Sequence, residues 1–98
     1  MRPGGTVRKR LVDLGAEVAR ERETLRILDE QVAYQREVAD DLGTRAVVAG
    51  TPLADRERRD AQEDLRRLER AYGEAKDRVR ELLEEQDRLL ERLGQDGA

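Results

Sequence analysis

Three groups of side chains in this sequence have types suited to chemistry: the adjacent carboxylates Asp40-Asp41, a second pair Glu84-Glu85, and the basic cluster Arg2, Arg8, Lys9 and Arg10. Paired carboxylates can divide general acid and base work, but only inside a pocket that sets their proton affinities apart. Both pairs fall within long, highly charged stretches of helical composition, and a thin helical rod offers no such pocket. The basic cluster has the charge to touch RNA phosphate or a membrane surface. It has no interleaved aromatics, however, and Asp13 and Glu17 follow at once, as in an ordinary solvated basic end. The chain contains no cysteine and no histidine. Zinc fingers, iron–sulfur sites, thiolate nucleophiles and Ser-His-Asp triads are therefore excluded. The expectation is a protein that is not an enzyme and takes no cofactor or metal.

The elements that would position any site are long helices. Charged residues make up 44% of the 98 residues and aromatics 2%, a balance of Ala, Glu, Arg and Leu typical of extended helical structure. The net charge of −3 is an even mixture, with neither half carrying the lopsided positive field of a nucleic-acid binder. Nucleic acid is accordingly not an expected partner, and neither is a membrane, since no apolar run is long enough to span one. The absence of cysteine fits a reducing compartment, and the expected location is the cytoplasm.

From Val7 the apolar residues keep a 4-3 spacing. Leu11, Val18, Leu25, Val32, Ala39 and Ala46 occupy one heptad position (a), and Val7, Leu14, Leu28, Leu42 and Ala49 the other (d). Glu21 and Gln35 interrupt the seam. This is a coiled-coil pattern. It breaks at Gly50-Thr51-Pro52, where glycine supplies a left-handed helix stop, threonine an N-cap and proline a first helical residue. A second seam follows, with Leu65, Tyr72, Val79, Gln86 and Leu93 at a and Ala54, Ala61, Leu68, Ala75, Leu82 and Leu89 at d. The fold expected is all-α: a long antiparallel two-helix coiled-coil hairpin that can dimerise into a four-helix bundle. Residues 1–6 are expected as a flexible tail, 7–94 as the hairpin (helix 1 over 7–49, turn 50–52, helix 2 over 53–93) and 95–98 as a C-terminal tail. The preferred register pairs residues whose numbers add to 100, over a slipped one adding to 93. Gly43 is the weak point, since a glycine costs about 1 kcal/mol in a helix interior; helix 1 either runs through it or stops there.

What remains after the seam closes is the candidate binding surface. Ile27, Tyr34 and Val38 lie off the seam on helix 1, and Leu83 and Leu90 widen the stripe on helix 2. They read either as a second interface, most simply a homodimer's, or as ordinary isolated apolar residues. At the tip, Val47, Val48 and Leu53 form an apolar cap beside Asp55. They read as a contact for a partner protein or as mutual packing that closes the turn.

Two resemblances bear on function. The whole chain, especially the segments 28–35 and 51–57, resembles small coiled-coil proteins of high-GC actinobacteria, which implies a cytoplasmic location and no activity. The stretch Pro52-Leu53-Ala54-Asp55-Arg56 is similar to the Asp-Arg hairpin tip of DksA-type transcription factors, which insert that tip into the secondary channel of RNA polymerase. That likeness implies Asp55 as the acidic tip residue. The chain departs from those factors in lacking a four-cysteine zinc site and a globular domain, and in placing Arg56 directly after the acid. The leading expectation is a scaffold or adaptor acting through protein–protein contacts. The alternative is a regulator that inserts its tip into a larger nucleic-acid enzyme.

Overall fold

The computed structural model describes residues 3–96, with side chains from Gly5 to Gln95. Two helices account for the fold: α1, Pro3–Ala49, and α2, Pro52–Asp96. They form an all-α helical hairpin whose turn is only Gly50 and Thr51. Gly50 sits at φ 61°, the left-handed region open to glycine at no steric cost. Its N–H donates to the Ala46 carbonyl at 2.9 Å, closing the end of α1 in the single-bond form of the αL cap. Thr51 then opens α2. Its Oγ1 accepts from the Ala54 N–H at 3.2 Å, and its carbonyl accepts from the Asp55 N–H at 3.1 Å. Pro52 follows at the first helical position, where its missing N–H leaves no bond unmade.

The helix ends lie further out than the sequence indicates. α1 begins at Pro3, within the segment 1–6 expected as a tail, so Thr6 lies inside the helix. Proline pre-sets the helical φ of the first turn, and Gly4 and Gly5 cost helix propensity without forbidding helical angles. Gly43 likewise lies within α1. At the other end Gly94 does not stop α2, which takes in Gln95 and runs to Asp96. Met1, Arg2, Gly97 and Ala98 lie outside the described residues, and with them the tail expectations for those positions and the Arg2 member of the basic cluster.

The chain divides into two compact units. One joins the α1 residues up to Thr24 with the α2 residues from Ala75 onward. Among the described residues its buried side chains are Val7, Leu14, Val18 and Ala75, and Leu14 is the only large one of these with no exposure at all. The other unit, Leu25–Glu74, contains the turn. Its core is Val32, Ala39, Ala61 and Leu65, with Val38, Leu42, Leu68 and Tyr72 packed against it. The eight buried residues among those described are all seam positions of the heptad pattern, and three of them are alanines, so each unit hides little apolar area per turn.

Two of the polar seam residues, Gln35 and Glu21, have partners across the helices. In the turn-containing unit, Gln35 Nε2 donates to the Ala61 carbonyl at 3.2 Å, and Arg36 approaches Glu69 at 3.6 Å. In the other unit, Arg78 Nε donates to Glu21 at 3.2 Å. There Arg10 also donates from Nε to Glu85 at 2.8 Å while its Nη1 reaches Glu17 at 3.1 Å. Both carboxylates hold the Arg10 guanidinium, Glu85 most strongly, so its proton is retained above the ordinary arginine range. Long side chains reach up or down a partner helix, so the pairs 10/85, 35/61, 21/78 and 36/69 add to 95, 96, 99 and 105. That spread includes the register adding to 100 and lies wholly above 93. No buried side-chain polar atom among the described residues lacks a partner.

Two glycines make opposite predictions. A Cβ at Gly43 or at Gly50 would meet nothing within 4 Å, so only backbone preference decides. Gly43→Ala should raise unfolding stability by up to about 1 kcal/mol. Gly50→Ala should lower it by about 1–2 kcal/mol, because the left-handed conformation penalises a side chain. Urea unfolding of the two variants measures both signs.

Candidate functional site

The apolar side chains left outside the seam are concentrated in the turn-containing unit. Tyr34 is 69% exposed and Ile27 42%. They are seven residues apart on α1 and therefore share a face. With Gln31, Gln35 and Leu68 they line an open groove of about 500 Å³. Val38, placed off the seam by spacing alone, is half-buried and packs against the core cluster. It lines an adjoining groove instead. Leu83 and Leu90 belong to the other unit, where Leu83 is half-buried and Leu90 is 51% exposed. Val12 is also largely exposed, a residue that heptad reasoning did not single out because it lies next to the seam residue Leu11.

The tip residues do not close on one another. Val47 and Val48 are each more than four-fifths exposed, and Leu53 nearly two-thirds. A two-residue turn capped by backbone hydrogen bonds needs no apolar plug. These side chains are therefore left in solvent on the last turn of α1 and the first turn of α2.

Asp55 stands just beyond them but is already occupied. Its carboxylate accepts from Arg58 Nε at 3.1 Å and Nη2 at 2.9 Å, and Arg59 approaches at 3.5 Å. The Arg58 hydrogen bonds hold its carboxyl below the usual range, and partial desolvation opposes them. An acid at the first turn of a helix is also favoured by the helix dipole. The acidic tip residue implied by the polymerase-factor likeness thus points at arginines of its own helix.

The adjoining groove was not anticipated. Val38, Leu42 and Ala61 form its floor, Gln35 one end, and Glu57, Asp60 and Asp64 line the α2 side, in about 350 Å³. The spacing 57, 60, 64 is the i, i+3, i+7 pattern of one helix face. That pattern could have been read from the sequence, but the arginines interleaved at 56, 58, 59, 66 and 67 disguise it. The carboxylate pairs fare differently. Glu85 is held by Arg10 and Glu84 is approached by Arg80 at 3.9 Å, while Asp41 pairs with Arg45. Arg67 pairs with Asp64 at i,i+3 spacing, whereas Arg78 crosses from α2 to Glu21 on α1.

No protein-family model, no curated protein and no solved structure matches the chain. Among the described residues no helix is long and apolar enough to cross a membrane.

The ion pairs of Asp55 predict a pH dependence. Its carboxyl is depressed relative to the unfolded chain, so its stabilising contribution is present at neutral pH. That contribution should fade as the pH falls below about 4, through the depressed range. The drop in urea midpoint between neutral and acid pH should therefore be smaller in Asp55→Asn than in the parent chain.

Proposed function

We propose that this hairpin is a non-enzymatic coiled-coil scaffold or adaptor that works through protein–protein contacts, as a homodimer in the cytoplasm. One observation carries the reading. The chain exposes 7328 Å², whereas the size relation for compact monomers gives about 5,700 Å² for 11.2 kDa. The surplus of about 1,600 Å² on the single chain is about twice the ~800 Å² that each partner contributes to a standard protein–protein interface. A second copy seated on the Ile27/Tyr34 groove through an interface of standard size would remove about half of it. Tyrosine suits such a role because it combines a large apolar ring with a polar end. The largely exposed apolar tip then remains available to a further protein, which is what an adaptor requires.

A second reading draws on the same tip. Val47, Val48 and Leu53 projecting into solvent are equally compatible with insertion into the channel of a larger nucleic-acid enzyme. In that reading Asp55 must leave Arg58 to act, and Asp55→Ala alone abolishes the effect on the enzyme. In the scaffold reading Asp55→Ala leaves partner binding intact.

Light scattering on a sizing column, across a range of concentrations, tests the leading reading. The parent chain should give twice the monomer mass at low micromolar concentration. The double variant Ile27→Glu/Tyr34→Glu should give the monomer mass with its helical circular dichroism retained, because both side chains are exposed in the single hairpin. A parent chain that stays monomeric at every concentration overturns the homodimer.

A further inference from the structure

We infer that the acid-rimmed groove of the turn-containing unit receives a basic amphipathic helix of another protein. The inference rests on the scaffold reading and names the kind of partner that one face of the scaffold takes. Its floor of Val38, Leu42 and Ala61 is apolar, its α2 rim carries the three carboxylates Glu57, Asp60 and Asp64, and no cation lines it. Two of the three arginines closest in sequence are engaged with another acid, and Arg56, the third, has no ion pair among the described residues and does not line the groove. Arg58 and Arg59 both reach Asp55, and neither Glu57 nor Asp60 has an ion pair among the described residues. Only Asp64 has one, with Arg67.

An apolar floor with negative charge along one side is complementary to a helix that presents leucine-type residues flanked by lysine or arginine at i, i+3 and i+7. A second copy of this chain fits the groove poorly. A two-fold contact sets the same patch on both partners, and this patch would bring like charges together.

The test uses the full chain and two fluorescent synthetic peptides with the same leucine face, one flanked by lysines and its twin by glutamates. Fluorescence anisotropy should show the lysine peptide binding and the glutamate twin not binding, with affinity falling as ionic strength rises. Glu57→Gln/Asp60→Asn should weaken the lysine peptide about fivefold, in line with two lost surface ion pairs. A control with the same change of charge, Asp87→Asn/Glu91→Gln, should leave it unchanged. Equal binding of both peptides, no binding of either, or equal weakening by the control overturns the inference, the last by showing general attraction to an acidic protein. If Glu57→Gln/Asp60→Asn instead alters the mass of the free chain, the occupant is a second copy and the inference also falls. The homodimer reading fails on the mass of the unmodified chain and the groove on anisotropy, so the two failures are told apart.

Discussion

Two helices packed side by side can each hide only one stripe, and this geometric limit governs the rest of the molecule. The stripe here is narrow even by that standard, because alanine fills several of the buried seam positions. Small side chains let the helices approach closely but bury little area each. The pairing is therefore supplemented at its edges by polar links between the helices: Gln35 to the Ala61 carbonyl in one unit, and Arg78 to Glu21 and Arg10 to Glu85 in the other. Such partly exposed links add modest stability individually. Their more important effect is on register, since a slide by one heptad would separate every one of them at once.

The same limit explains why so much apolar surface remains. A globular domain of this mass would fold its off-seam residues into a second layer. Here Tyr34, Ile27, Leu90 and Val12 have no second layer to enter, and the tip residues have nothing beyond them. Scattered exposed leucines and valines are unremarkable in most proteins. They carry more weight in a chain whose own core is this thin, because association is the main remaining route by which it can gain buried area.

Much of this was legible in the sequence, for identifiable reasons. The helices and the seam follow from a 4-3 spacing repeated many times, so the evidence accumulates over each helix. The turn was legible because glycine, threonine and proline each do one job there and occur in the order those jobs require. The helix ends at Pro3 and Asp96 were not legible. Glycine weakens a helix without ending it, and composition alone cannot separate the two. Ion-pair partners were not legible either: Arg67 has acids at both 63 and 64 within reach, and Arg78 can turn along its helix or across to the other. The exposure of Val47, Val48 and Leu53 depends on how tight the turn is, a backbone property that residue types leave open.

Charge on such a surface is informative mainly where it is left uncompensated. With nearly half the residues ionisable, most carboxylates have an arginine within three or four positions, and a count of charges reveals nothing about sites. What distinguishes the α2 face near the tip is the direction of its arginines. Arg58 and Arg59 converge on Asp55, on the side of the helix away from Glu57 and Asp60. One acid thereby takes two cations while two acids beside an apolar floor take none. Helix geometry dictates this, because Arg58 and Arg59 stand only one or two positions from Glu57 and Asp60 and do not face them. The distribution leaves a negative rim next to a groove lined by Val38, Leu42 and Ala61, and that pairing of apolar contact with unspent charge is what a cationic helix can use.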